Sequence, residues 1–392
     1  MNDRYVEVSS KSWGGRLIEA IKGVLVGLLL FLASFPLLWW NESRAAQTAK
    51  SLEEGQTNVV AVKADLINPS NEGKLVHLSA LATTTEVLQD NAFGVTAPAL
   101  RLLRNVEMYQ WVEDKKTETK KKLGGGEEKV TTYDYEKKWK DSVVKSSEFK
   151  VPAGHSNPSS MPYSEFDVVT RTGMIGGFHL PEEVIKKLTK LDPYPLDARA
   201  PAKLPANLVG KVRTFEGGYF VGADPASPQV GDLRISYKTV SPHVISLVAR
   251  QVGNSFTPYK AEAGDEVLLV ESGTKDAKAM FQSAQEANTM LTWVLRAVGY
   301  LMMAIGLMLI LRPLVIVADF IPMIGNLAGL SASLFALVAA FPLSTLVIAI
   351  AWISVRPLIG IAVLAATLLG FAAMGLIGVK AWKKRHRARV AA

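Results

Sequence analysis

"FPLLWWNESRAAQTA", Phe35 to Ala49, closes the first long apolar run of the chain, and how it is read decides the fold. Ser43-Arg44-Ala45 places small residues three and one positions before Ala46, the pattern a signal peptidase accepts, so the run can be a discarded export signal. It can equally be the outer end of a membrane anchor, which makes everything after it part of a membrane protein. Length favours the anchor. Gly23 to Trp40 carries no charge over 18 residues, and at about 1.5 Å per residue it reaches roughly 27 Å, close to the ~30 Å of a hydrocarbon core. An export signal needs an apolar core of only about 7 to 15 residues. Trp39-Trp40 followed by Asn41-Glu42 reads as an aromatic belt passing into water.

Hydrophobic residues make up 49% of the 392 positions, but they are concentrated at the two ends, with a polar stretch between Arg44 and Thr289. The absence of cysteine excludes a disulfide scaffold and any thiolate nucleophile or metal site. A net charge of +8 invites a nucleic-acid reading. Yet Lys380, Lys383, Lys384, Arg385, Arg387 and Arg389 crowd a C-terminal tail beside a hydrophobic span, as a cytoplasmic flank does. No aromatic platform or folded reader accompanies them, so no nucleic-acid partner is expected.

The expected fold class is therefore a membrane protein of mixed α+β type, with four transmembrane helices and a large β-rich extracytoplasmic domain inserted between spans one and two. Residues 1–22 form a cytoplasmic N-terminus and 23–40 the first span. The β-rich domain is 41–289, span two 290–312, an interfacial elbow 313–326, span three 327–355, span four 358–378 and a basic cytoplasmic tail 379–392. Lys11, Arg16 and Lys22 before the first span and the basic tail after the last place both termini in the cytoplasm by the positive-inside rule. Trp39, Trp40, Arg312, Arg356, Lys383, Lys384 and Arg385 are the expected membrane-interface residues. Asp319 lies seven residues after Arg312 and reads either as its ion-pair partner or as a solvated headgroup-level acid, while Arg296 reads as a snorkelling side chain. Gly23 with Gly27, and Gly325 with Gly329, have the small-residue spacing that lets helices approach closely.

In the polar block, strand patterns cover Asn58 to Asp65, Lys74 to Glu86, Leu102 to Glu113, Lys129 to Trp139, Asp232 to Val240, Val244 to Gln251 and Glu266 to Glu271. Pro181 to Leu191 reads as a short helix, and Lys275 to Thr289 as a helix that continues into span two. Gly124-Gly125-Gly126 separates two aromatic strands. A hairpin turning about Gly125 sets Trp111 opposite Trp139 and Lys116 opposite Asp134, leaving a charged tip that is either a solvated loop or a docking arm. The loop "GHSNPSSMPYSEF", Gly154 to Phe166, brings His155 and Ser159 close in sequence, but no nucleophile elbow surrounds any serine. The five histidines show no ligand spacing, so neither metal nor cofactor is expected.

Five ordered motifs, "NESRAAQTAKSLEEG", "YDYEKKW", "GHSNPSSM", "VGDLRISY" and "AWISVRPL", resemble the LUMA family of four-span membrane proteins across nearly the whole chain. The resemblance implies residence in the endoplasmic reticulum and inner nuclear membrane in animals, with association to lamins and emerin and with self-association. It also implies an inner-membrane location in a bacterial relative, retention of the residues after the first span, and no catalytic residue to carry over. The leading expectation is a non-enzymatic membrane organiser, a homo-oligomer whose outer domain binds envelope partners and whose tail prefers anionic lipid. An oligomeric channel or transporter is the first alternative, although Thr367 is the only polar side chain in the last span. An envelope hydrolase acting through the His155 loop is the second.

Overall fold

Alternation in Leu233, Ile235 and Tyr237 buries one face of the strand Leu233–Val240 and leaves Ser236 and Lys238 exposed on the other. Strands of this kind build much of the chain. The structure is a computed structural model describing residues 3–196, 204–206, 208–319, 322–355, 357–370 and 372, with the side chains of 322–325, 354 and 355 left aside. It divides into two compact units. The first comprises Met1–Glu7, Ser51–Thr117 and Thr131–Ala284; the second comprises Val8–Lys50, Glu118–Val130 and Gln285–Ala392.

The first unit holds two main sheets. One runs in the order Asp3–Lys11, Glu127–Lys140, Arg101–Lys121, Leu233–Val240, Gly218–Val221, Val212–Phe215. The other is centred on Leu75–Thr83 and His243–Val252, antiparallel with Leu78 facing Leu247. Each has its own apolar core, around Phe178, Ile245 and Leu247 in one case and around Phe93, Met108 and Tyr219 in the other. The expected strand from Asn58 is reduced to Val60–Ala61, because helix α1 (Trp13–Asn58) persists up to it, with Leu52 packing beside Phe281. Helix α2 is only Glu182–Lys186, closing in tight turns at Lys187 and Leu188, and Asp192-Pro193 beyond it pairs at the edge with Leu233–Val240.

The hairpin is longer than its apolar pattern, and its turn is centred one residue before the expected Gly125, which moves every cross-strand partner by two residues. Gly124 and Gly125 both adopt the left-handed backbone (φ 84 and 74), and the Lys122 N–H donates to Gly126 O at 2.8 Å. Leu123 to Gly125 is thus a three-residue loop centred on Gly124, which pairs Glu113 with Tyr135 and Thr117 with Thr131. Lys137 consequently lies 4.8 Å over the Trp111 ring, and Trp139 packs on Tyr109 at 5.1 Å. In this register Trp111 lies opposite Lys137 and Lys116 opposite Thr132, in place of the expected Trp139 and Asp134, and Asp134 takes Arg4 at 2.5 Å.

That last contact belongs to a wider set. Asp3 to Glu7 complete the edge of the first sheet, where Glu7 binds Lys150 at 2.8 Å and Asp3 binds His155 at 2.7 Å. This pairing sets Asp3–Glu7 in the same compact unit as the strands between residues 51 and 284.

In the second unit, α1, α3 (Ala277–Ala318) and α4 (Pro322–Val355) are each long and apolar enough to cross a membrane, and Pro357–Gly370 is a shorter apolar helix. The 46-residue α1 runs unbroken through Ser43-Arg44-Ala45, about 69 Å at 1.5 Å per residue. Of the elbow expected over 313–326, residues 313–318 belong to α3 and 322–326 to α4, while 320 and 321 lie outside the described residues. Pro313 sits inside α3, α4 starts at Pro322, and Trp13 Nε1–H donates to Ile316 O at 2.8 Å, satisfying a carbonyl in the last turn of α3. Arg356, Lys383, Lys384, Arg385 and the end of the fourth span lie outside the described residues, as do the surroundings of Gly325.

Of the glycine pairs, Gly27 alone makes a tight crossing. A Cβ there would stand 2.8 Å from Gly306 O, and one on Gly306 would stand 2.7 Å from the Phe31 nitrogen, so α1 and α3 touch backbone to backbone. Gly23 has nothing within 4 Å, and a Cβ on Gly329 would make an ordinary 3.4 Å contact with Val315. Gly27→Val is expected to lower the thermal midpoint of the detergent-solubilised protein through overpacking worth about 1–3 kcal/mol, whereas Gly23→Val should leave it unchanged.

Candidate functional site

Beyond its apolar run α1 presents Glu42, Ala45, Ala46 and Ala49 along one helical face, and α3 presents Gln285, Asn288, Thr289, Thr292, Trp293 and Arg296 with the same spacing. Short alanines facing long polar side chains leave a cavity of about 460 Å³, to which α4 adds Trp352. Glu42 is 2% exposed. Arg296 grips it with Nε and Nη2, both at 2.7 Å, and Trp352 Nε1–H donates to the same carboxylate at 2.5 Å. The guanidinium of Arg296 also lies 4.7 Å from the Trp293 ring centre and 5.8 Å from that of Trp352, which fixes it on two aromatic faces.

A ladder of side-chain bonds joins the helices along this wall. Asn41 Nδ2 donates to Thr292 O at 3.1 Å, Asn288 Nδ2 to Ala45 O at 2.9 Å, and Gln285 Nε2 to Ala49 O at 3.0 Å. Arg44 donates to Asn288 Oδ1 at 3.0 Å and to Thr292 Oγ1 at 3.1 Å, while its Nε is buried with no hydrogen-bond partner. Among the described residues Arg44 makes no ion pair. A second cavity, of about 600 Å³, shares Trp293, Arg296 and Trp352 and is otherwise mostly apolar, with Tyr300, Phe341, Ile348 and Val363 in its wall. Arg296 was expected to snorkel. It turns inward because a carboxylate on the neighbouring helix waits at its depth, and the sequence signal was a pair of opposite charges, Glu42 and Arg296, each just beyond or within an apolar run.

A second charged cluster closes the other end of this unit. Asp319, 1% exposed, accepts from Arg16 at 2.5 Å and from Lys121 at 2.6 Å, and Arg16 reaches Glu127 at 3.0 Å. Arg312, the sequence neighbour, is not its partner. Gly125 is needed here, because a Cβ would fall 2.4 Å from the Trp13 ring. The charged hairpin tip is thus neither a solvated loop nor a free arm: it closes on the ends of α1 and α3.

The His155 loop contains no nucleophile pair. His155 is stacked on Tyr135 at 3.9 Å, its Nδ1 meets Val151 O at 2.8 Å and its Nε2 meets Asp3, while Ser159 is exposed. Burial and the bond to Glu113 push the Tyr135 phenol up to about 12. Trp139 is likewise spent inside the first unit, with Arg234 lying 5.0 Å over its ring. Trp39 and Trp40 are exposed on α1, as residues at a membrane boundary would be, and Arg312 is exposed on α3. Among the described residues no group of three or more His, Cys, Asp or Glu is placed to hold a metal.

Residues 108–357 match the family model described as Transmembrane protein 43. The chain is similar to "Transmembrane protein 43" of Rattus norvegicus, 36% identical over 369 residues and covering 90% of both chains. It is similar to the Homo sapiens protein of that name at 35% over 370 residues, again 90% of both. It is also similar to the "Transmembrane protein 43 homolog" of Drosophila melanogaster, at 31% over 359 residues, covering 87% of this chain and 91% of that protein. No solved structure matches it.

Proposed function

This chain belongs to the transmembrane protein 43 family, the LUMA family that its motifs resemble, and on that premise we propose that it is a non-enzymatic membrane organiser. Its sheet-rich unit presents a surface to envelope or membrane partners, and its helices hold that surface to the bilayer and to further copies of the chain. One observation carries the reading. Four elements, the strand Asp3–Lys11, α1, the long hairpin and α3, each contribute residues to both compact units, so the sheet-rich part and the apolar helices are carried on shared elements.

The sidedness we propose follows the N-terminal strand: Asp3–Glu7 and the sheet share one compartment, and the first apolar helix rests in the membrane without a net crossing. Neither alternative activity gains support from a side chain. His155 is spent on packing, and the Thr367 hydroxyl donates to Val363 O within its own helix. Light scattering of the full chain in mild detergent tests the organiser reading. The expected mass is a multiple of the protomer at micromolar concentration, and a monomer over a hundredfold range of concentration would overturn it.

A further inference from the structure

The polar cavity beside Glu42 and the apolar one beside Tyr300 share a wall of Trp293, Arg296 and Trp352, so a polar and an apolar hollow lie side by side. Their volumes, about 460 and 600 Å³, each fall in the range of specific ligand sites. The polar part is not neutral. Two guanidinium groups, Arg44 and Arg296, stand against the single carboxylate of Glu42, and Glu42 is already satisfied by Arg296 and Trp352. Among the described residues Arg44 makes no ion pair: it stands one hydrogen bond behind the lining residues Asn288 and Thr292, and its Nε is buried without a hydrogen-bond partner. An excess positive charge in a place of low dielectric attracts an anion strongly and repels a cation.

We propose that this pair of hollows is a binding site for a singly anionic acyl lipid, with the headgroup among Asn288, Thr292 and Arg296 and one acyl chain between Tyr300, Phe341 and Ile348. The proposal does not rest on the organiser reading, which is tested by the mass of the oligomer and not by lipid retention, so either can fail alone. Aromatic side chains at the shared wall suit the junction, because an indole presents an apolar face to a chain and an N–H edge to a polar head.

Native mass spectrometry of the full chain released from detergent, titrated with dioleoylphosphatidylglycerol or dioleoylphosphatidylcholine, tests this. The expected result is one tightly held phosphatidylglycerol, retained at least tenfold more strongly than phosphatidylcholine. Arg44→Gln keeps a donor but removes the charge and should abolish the tenfold preference. Ile348→Trp fills the chain cavity and should reduce retention of both lipids at least tenfold; if it lowers the thermal midpoint, Thr345→Trp takes its place on the same wall. Glycerol 1-phosphate, which has the head without the chain, should not displace the lipid. Equal retention of the two lipids by the unaltered protein, unchanged binding in both variants, or displacement by glycerol 1-phosphate would each overturn the proposal.

Discussion

Arg296→Met is expected to destabilise the membrane unit by about 3–5 kcal/mol, because it leaves the Glu42 carboxylate buried without a charge partner. The pair is close and bidentate, with both contacts at 2.7 Å and the two side chains 16% and 2% exposed. Trp352 supplies one remaining donor, which cannot replace a cation. Removing the carboxylate charge as well should reverse most of the loss: in Glu42→Gln with Arg296→Met, the amide oxygen still accepts from Trp352, and methionine still packs on Trp293. Replacing a buried pair by well-packed neutral groups is often close to neutral. Chemical unfolding of the detergent-solubilised chain, followed by near-ultraviolet circular dichroism, gives both numbers. A double variant no more stable than Arg296→Met alone would show that the guanidinium matters for its stacking and not for its charge.

How much of this was legible in the sequence depends on how far apart the interacting residues lie. The strands over Lys74 to Glu86 and Asp232 to Val240 were readable because period-two burial is written into adjacent residues. The hairpin was readable as a hairpin, but not its register, since three consecutive glycines leave the centre of the turn open and only their backbone angles choose Gly124. Continuity of α3 through Pro313 was hidden by the residue's usual behaviour: apolar helix on either side, and the bond from Trp13 to Ile316, outweigh one missing donor. The two buried charge clusters join residues 254 and 303 positions apart. Local reasoning offered Arg312 to Asp319 and water to Arg296, and both assignments fail for the same reason. A charge near a membrane boundary reads as solvated until its partner on another helix is known. Asp3–Lys11 is hidden for another reason: an exposed edge strand carries little apolar signal beside the basic residues that flank the first apolar run.

The sidedness of that strand has a decisive test, which the cysteine-free chain makes simple. In Arg4→Cys with Asp134→Cys the only two thiols replace groups that meet at 2.5 Å across neighbouring strands of the first unit. Cross-strand neighbours bring Cβ atoms to roughly 4.5–5.5 Å, near enough for a disulfide after a small adjustment. Mild oxidation of the membrane-embedded protein should therefore convert most of it to an internally bridged form, seen as loss of maleimide reactivity that a reductant restores. Two single variants then separate pairing from location. Arg4→Cys and Asp141→Cys should both react with an impermeant maleimide from the same face of sealed vesicles. If α1 crosses the bilayer once, they will react from opposite faces and the bridge will not form. Labelling from opposite faces would restore the conventional anchor for Gly23–Trp40 and remove the N-terminal strand from the sheet. Labelling from one face would mean that the apolar run Gly23–Trp40 lies in the membrane without a net crossing, its exposed leucines and valines facing lipid.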